Sequence, residues 1–270
     1  MSKVDIIVPT CGQTEFTRRC LKSVRRHTGR CRLIWVDNGS QKASRRAVME
    51  ELQGLPEHVA VWSGDRLGFV GATNLGLRLS LSKLDGGAEY VAFLNNDVEV
   101  TSGWLDRMSS VLDREPTIHA IGPVTSECQS WQSFSNVGKV VPVFQIPAGF
   151  EALGTDARAD KLGYCYGDLW KPCHMLAFFC TLFRRSVFEK VGMLDAGFGD
   201  GLGDDDDLCK RMRDAGMLCA LSLGTYVFHN HRTTFSGLYD DKALDDLSEK
   251  HHRLYEQKHG ERASVVQIRG

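Results

Sequence analysis

Three groups of polar residues in this 270-residue chain have the types and spacing to do chemistry. The first is Asn95-Asn96-Asp97, which ends the apolar run from Tyr90 to Leu94. A run this short and unbroken reads as a strand buried on both faces of a parallel sheet. It delivers two amides and a carboxylate to the strand's carboxyl end, the edge where open α/β sheets bind ligands. A carboxylate there can hold a hard cation through oxygen, with a phosphate completing the shell; the same residue types can also simply open a turn. The second group is Asp204-Asp205-Asp206-Asp207, opening a helical pattern in which Leu208, Met212 and Ala215 share a face and Gly216 is the stop. Negative charge suits a helix start. The four carboxylates fan round the axis, so one or two can face a site and serve as a general base for a hydroxyl within reach. The third group is His229 and His231, on one face of a strand expected over Tyr226–His231, either as ligands or as a solvated strand end.

The elements that must carry these groups alternate. Strands are expected at Val4–Val8, stopped by Pro9, at Leu33–Val36 with a turn over Asp37–Ser40, and at Val59–Trp62. Helices are expected from about Glu15 to His27, with Phe16, Cys20 and Val24 on one face, and from Ala43 to Leu52. The glycine-punctuated loop Gly64–Gly71 leads into a helix carrying Asn74, Leu75 and Leu79. Such alternation gives βαβ units and a mostly parallel sheet, a nucleotide-binding type of half-domain. Beyond it come a helix with Trp104, Leu105, Met108, Val111 and Leu112, a strand at Ile118–Ile121, and a strand-like run from Leu176 to Phe183. Between Thr125 and Pro172 periodicity fades into Gly, Ser, Pro and aromatics, the composition of a long functional loop. A helix from about Lys242 to Lys258 closes the chain, with Leu244, Leu247, His251 and Leu254 at heptad-like spacing.

Composition excludes several classes. With 42% apolar residues, 25% charged residues and a formal net charge of −1, this is an ordinary globule. The run Met175–Phe183 is too short to span a bilayer, and Met1 to Asp5 leads straight into a strand, so a cytoplasmic protein is expected. Nine cysteines without a C-x-x-C pair argue for reduced thiols and against a zinc knuckle or disulfide frame. The first strand is followed by Pro9-Thr-Cys-Gly-Gln-Thr14 rather than G-x-G-x-x-G, which argues against a dinucleotide, and no P-loop is present. Arg18, Arg19, Lys22, Arg25, Arg26, Arg30 and Arg32 crowd one segment, either as a solvated face or as a surface for an anionic acceptor or membrane.

Ile6-Ile-Val-Pro-Thr10, Val36-Asp-Asn-Gly-Ser40, Leu67-Gly-Phe-Val-Gly-Ala-Thr-Asn-Leu-Gly76, Phe93-Leu-Asn-Asn-Asp97, Gly203-Asp-Asp-Asp-Asp-Leu208 with Arg211, and Val227-Phe-His229 followed by Thr234-Phe235 stand in one order. That order, over about residues 4 to 237, resembles the family 2 glycosyltransferases, which are inverting, nucleotide-sugar-dependent enzymes. The resemblance implies a single GT-A-like α/β domain, a Rossmann-type mixed sheet flanked by helices. It would span residues 1–240, with a donor half to about residue 97, an acceptor half over 98–240 and a helical extension over 241–270. It further implies that Pro9, Thr10, Cys11 and Asp37 hold the nucleoside. Arg66, Gly68, Phe69, Gly71 and Asn74 would lie along the ribose and diphosphate, with Asn95 and Asn96 beside them. Asp97 would bind Mn²⁺ or Mg²⁺, His229 would add a ligand with His231 in reserve, and Asp205 would be the base beside Asp204. Three departures stand out: Asp204 replaces a Glu, Cys11 replaces a common Tyr, and Phe178-Phe179 replace a frequent Gly-Ala, which implies a narrowed or reshaped donor-sugar pocket.

The expected reaction is therefore transfer of a hexosyl or deoxyhexosyl group from a UDP- or dTDP-sugar to a hydroxyl acceptor. The cation would stabilise charge on the leaving phosphate and Asp205 would take the hydroxyl proton. A saccharide or lipid-linked saccharide is the family's common acceptor. The basic segment leaves a nucleic-acid acceptor or a peripheral place at a membrane surface open, and a non-catalytic nucleotide-sugar binding module is the remaining alternative.

Overall fold

The computed structural model describes residues 4–82, 87–128, 130–141, 144–230 and 239–262. Its centre is a mixed sheet of eight strands in the order β3-β2-β1-β4-β8-β6-β9-β7. The strands are β1 (Val4–Thr10), β2 (Arg32–Asn38), β3 (His58–Ser63), β4 (Tyr90–Leu94), β6 (Ile118–Val124), β7 (Trp170–Cys173), β8 (Cys180–Arg184) and β9 (Leu218–Tyr226). β1 pairs in parallel with β2 and β4, β2 with β3, and β6 with β9, while β8 is antiparallel to both β4 and β6. The carboxyl ends of β1, β2, β3, β4, β6 and β9 therefore share one edge. A separate two-stranded ladder joins β5 (Val98–Glu99) to β10 (Phe228–His229).

Helices α1 (Thr14–His27), α2 (Lys42–Leu52) and α4 (Trp104–Arg114) cover one face of the sheet. There Cys20, Leu21, Val24, Val48, Leu52 and Trp104 pack on Ile6, Val8, Leu33 and Trp35. The other face carries α3 (Gly68–Leu81), where Val70, Ala72 and Leu77 meet Ile7, Ile34 and Val36, together with α8 (Asp204–Asp214), whose Leu208, Cys209 and Met212 are buried. The alternation along β1 and β2 thus feeds two cores, as expected of a sheet covered on both sides.

Several boundaries differ from the sequence reading. β1 runs on through Pro9 to Thr10, paired with β2. Its ladder with β4 ends at Ile7, so the missing N–H of Pro9 faces no partner strand there. The turn expected at Asp37 starts two residues later, and the glycine loop is shorter because helix α3 already begins at Gly68. The stretch expected to be irregular folds into α5 (Phe134–Val140), α6 (Thr155–Tyr166) and edge strand β7. Phe134, Phe144, Phe150, Tyr166 and Tyr226 stack on one another there, so most of those aromatics pack the segment down. The run before Phe183 is a strand only from Cys180, and α7 (Arg185–Val191) follows it directly. The final strand expected at Tyr226–His231 is instead the end of β9 plus β10; β9 begins at Leu218, in a stretch whose Leu-Ser-Leu-Gly pattern alternates weakly. The closing helix α9 spans Asp241–His259, and its buried residues are His251 and Tyr255, with Leu244, Leu247 and Leu254 half-buried.

Candidate active site

At the carboxyl edge, Thr10, Asp37 and Trp62 stand in register across β1, β2 and β3, and so project to the same face. The Thr10 hydroxyl accepts a hydrogen bond from Trp35 Nε1 at 2.9 Å, so its side chain braces the sheet, and Pro9 is buried. Asp37 is fully buried: Oδ2 accepts from Arg45 Nε of α2 at 2.7 Å, and Oδ1 has no partner. A buried carboxylate oxygen left without a donor is costly and points to a ligand that supplies one. Cys11 is half-buried where the chain turns off β1, and Gly12 N donates to Ser40 Oγ at 2.8 Å, tying this turn to the one after β2.

The start of α3 is fixed from both sides. Asn38 Oδ1 accepts from Leu67 N at 2.6 Å and its Nδ2 donates to Gly68 O at 3.1 Å. Gly68 has φ +72°, and a Cβ there would lie 2.5 Å from Gly199 O, while Val70 N donates to that same oxygen at 2.9 Å. Gly68→Ala should therefore cost about 1–3 kcal/mol, measurable as a lower urea midpoint with an unchanged slope. A Cβ on Gly71 would meet Leu67 Cβ at 2.8 Å, and Phe69 is half-buried against the core. Asn74, expected along the ribose and diphosphate, is buried: its Nδ2 donates to Leu194 O at 2.8 Å and its Oδ1 accepts from Leu194 N at 3.1 Å. Both ends of the amide are held in a buried clamp, with one N–H and one lone pair of Oδ1 engaged by Leu194. Arg66 is exposed, pairs with Asp200 at 2.7 Å and lies over the Tyr239 ring, whose hydroxyl also donates to Asp200.

The amide-carboxylate triplet leaves β4 at the same edge. Asn95 N donates to Phe179 O at 2.8 Å, while Asn95 Oδ1 is buried without a partner. Asn96 is buried, and its Nδ2 donates to Thr17 Oγ1 of α1 at 3.0 Å, so it anchors the turn. Asp97 Oδ1 lies 3.4 Å from His229 Nε2, and both side chains are buried. The β5–β10 ladder, which sets His229 opposite Val98, produces this approach. Asn230 N donates to Asp97 O at 2.9 Å and locks the register. The His229 ring stacks on Phe179 at 4.7 Å and 13°, and Phe178 sits in an aromatic core with Phe93 and Phe183. Phe178 and Phe179 thus pack and orient the rings around them, with Phe179 facing His229. His231 and the Thr234-Phe235 pair lie outside the described residues.

Cis ligands of an octahedral cation with bonds of roughly 2.0–2.1 Å lie about 3 Å apart, so the separation of Asp97 and His229 fits two positions of one shell. Among the described residues no set of three His, Cys, Asp or Glu side chains converges. Such a shell would be completed by water or phosphate oxygen. An imidazole nitrogen beside a carboxylate suits Mn²⁺ better than the harder Mg²⁺.

The four carboxylates of α8 have different fates. Asp207 is fully buried and neutralised, accepting from Arg211 at 2.9 Å, Lys258 at 2.7 Å and His259 at 2.8 Å. Asp204 is buried, and loss of hydration, then the charge of Asp205, push its carboxyl well above the usual range. Asp205 is half-buried; burial of its carboxyl raises its pKa, opposed by backbone N–H donors such as Asp206 N at 2.9 Å. Asp206 is pushed up to about 8 by burial and then by the Asp205 charge. A carboxyl whose folded pKa lies above its unfolded value binds more protons when folded, so its contribution to stability falls as pH rises, here between about 4 and 8. Asp206→Asn should flatten that decline and raise stability at pH 8 by more than about 1 kcal/mol, read from denaturation at pH 5 and pH 8.

Sequence reasoning missed Arg45 and gave Asn38 no role of its own. Asn38 lay within the quoted V-D-N-G-S motif, whereas Arg45 belongs to no motif.

The model of glycosyl transferase family 2 matches residues 5–192. Among curated proteins, y4gI of Sinorhizobium fredii, an uncharacterized protein, is 27% identical over 79% of this chain and 23% of its own. Another, Mb1552 of Mycobacterium bovis, also uncharacterized, is 27% identical over 85% of this chain and 74% of its own. Among solved structures, GalNAc-T7 with UDP, GalNAc and Mn²⁺ superposes with a TM-score of 0.61 at 13% identity, over 85% of this chain and 44% of that one. The mannosyltransferase PcManGT of Pyrobaculum calidifontis, with GDP-Man and Mn²⁺, gives 0.60 at 16% identity, over 94% and 69%. The chain thus spans about a quarter of the first of these curated relatives and under half of the first of these solved neighbours, whose shared feature with it is the GT-A-like fold.

Proposed function

This chain belongs to glycosyl transferase family 2, and we propose on that premise that it moves a sugar from a UDP- or dTDP-sugar to a hydroxyl acceptor with inversion. The observation that carries the reading is the approach of Asp97 and His229 to 3.4 Å at the carboxyl edge of the sheet, the edge that also holds the orphaned carboxylate oxygen of Asp37. Asp37, with the turn at Cys11, receives the nucleoside. Gly68 and its neighbours in the first turn of α3 lie along the diphosphate, where the positive end of the helix dipole favours an anion. Asp97 and His229 hold the divalent cation, Mn²⁺ by preference. When bound, the cation supplies positive charge against the diphosphate as the sugar bond breaks.

Asp205 takes the proton of the acceptor hydroxyl. A carboxylate with a raised pKa is a stronger base than a solvated one, and burial supplies that shift here. The oxygen attacks the anomeric carbon on the face opposite the diphosphate, the C–O bond to phosphate breaks, and the configuration inverts. Residues up to about 97 serve the donor, those from 98 to 240 the acceptor, and α9 braces α8 through Lys258 and His259.

The acceptor we propose is a saccharide or a lipid-linked saccharide. The basic segment is largely matched within the protein: Arg18, Lys22 and Arg25 share Glu51, Arg19 meets Glu15, Arg26 meets Asp156, and Arg32 meets Asp5. The segment's seven cations thus stand against four carboxylates, and an excess of about three charges is modest for a nucleic-acid acceptor. Among the described residues no helix is long and apolar enough to cross a membrane, and we place the enzyme in the cytoplasm.

The test is release of nucleoside diphosphate from a panel of UDP-, dTDP- and GDP-sugars with Mn²⁺ and with EDTA. Metal-dependent release from a UDP- or dTDP-sugar is expected. No release from any donor, in the presence of saccharide acceptors, would leave a nucleotide-sugar binding module as the reading.

A further inference from the structure

The base-side end of the site holds a residue that no motif singles out. Asp37 Oδ2 is held by Arg45 Nε at 2.7 Å, Arg45 Nη2 donates to Ser40 O at 3.3 Å, and the guanidinium lies 6.0 Å from the Trp62 ring centroid. Arg45 Nη1 donates to no described residue. Trp62 sits at the carboxyl end of edge strand β3, in register with Asp37, and is 55% exposed. A large indole left open at the ligand edge, with an arginine over it, is an uncommon use of surface.

Asp37 Oδ1 is buried, acceptor-only and without a partner, so it calls for a donor from the ligand. Arg45 offers donors beside it. An acceptor next to a donor is complementary to an imide edge, an N–H flanked by a carbonyl, as found in uracil, thymine and guanine. Cytosine and adenine carry the acceptor on the ring nitrogen and the donor on the exocyclic amino group, so either base, held where an imide base sits, would set its ring nitrogen against Asp37 Oδ1 and its amino group against the Arg45 guanidinium. Setting an acceptor against the buried Asp37 Oδ1 is a strong form of discrimination for a small site.

We propose that Arg45 reads the nucleobase together with Asp37, selecting an imide base, and that Trp62 is the platform that positions its guanidinium. This rests on the nucleotide-sugar reading above and adds to it a specificity residue. It also accounts for how the site manages with Cys11 where relatives often carry a tyrosine: selection comes from the hydrogen-bonding edge rather than from stacking on the ring face.

The experiment is calorimetric binding of UDP, CDP, GDP and ADP with Mn²⁺ to the wild type and to Arg45→Lys, Arg45→Ala and Trp62→Ala. Wild type should bind the imide member of a pair, UDP over CDP or GDP over ADP, at least tenfold more tightly. Arg45→Ala should shrink that ratio to near one, and Arg45→Lys, which keeps the charge beside Asp37, should shrink it while leaving the fold intact. Trp62→Ala, at an exposed position, should lower the ratio partway. A ratio unchanged in Arg45→Lys and Trp62→Ala, or a wild-type preference for CDP or ADP, overturns the proposal and leaves the glycosyltransferase reading standing. Absence of binding by all four nucleotides to the wild type overturns both.

Discussion

Asp205→Asn should lower turnover by a factor of about 10²–10⁴ while leaving donor affinity unchanged. The amide keeps the size of the carboxylate and can still accept from Asp206 N, so α8 should start as before. What it cannot do is take a proton. A hydroxyl acceptor is a weak nucleophile until that proton leaves, and the loss therefore falls on kcat rather than on donor KM. The neighbouring carboxylates provide the contrast. Asp204→Asn should cost far less, because burial and the charge of Asp205 already favour its protonated form. Asp207→Asn should act on stability instead, since it leaves Arg211, Lys258 and His259 gathered around a neutral group, and breaking such a buried cluster typically costs about 3–5 kcal/mol. The acid limb of the kcat profile in wild type should lie above the usual carboxylate range, in the direction that burial moves Asp205.

Asp97→Ala should abolish the metal dependence of donor binding. Its carboxylate is the one acidic side chain that the Asn95-Asn96-Asp97 turn contributes, and His229 beside it is a single neutral ligand that holds a cation weakly alone. Without the cation the diphosphate meets only backbone N–H groups and Arg66, which is engaged with Asp200. Affinity should fall to the level that wild type shows in EDTA, and activity should fall with it. Phe179→Ala should have a smaller effect of the same kind, because the ring stacked at 4.7 Å fixes the imidazole plane without touching the metal.

Much of this arrangement was legible in the chain because it rests on local signals. The apolar run before Asn95, the four-residue spacing along α1 and the acidic start with Gly216 stop of α8 each follow from a period or a cap. What the sequence hid depends on contacts distant along the chain. Asn74 reads as a ligand from its motif, which gives no sign that its amide also clamps Leu194, 120 residues away. His229 reads as part of one strand with Tyr226. It leaves that strand to pair with a two-residue segment after Asp97, and no pattern that short has a period. Arg45 belongs to no motif, and only the register of β2 with β3, which sets Trp62 beside Asp37, brings its neighbours together.

The central claim is that the carboxyl edge binds a nucleoside diphosphate through a cation held by Asp97. It is tested most directly by calorimetric titration of wild type and Asp97→Ala with UDP and dTDP, each with Mn²⁺ and with EDTA. The account predicts binding that requires Mn²⁺ in wild type and is lost in Asp97→Ala. Equal binding in EDTA, or unimpaired Mn²⁺-dependent binding by the variant, would contradict it.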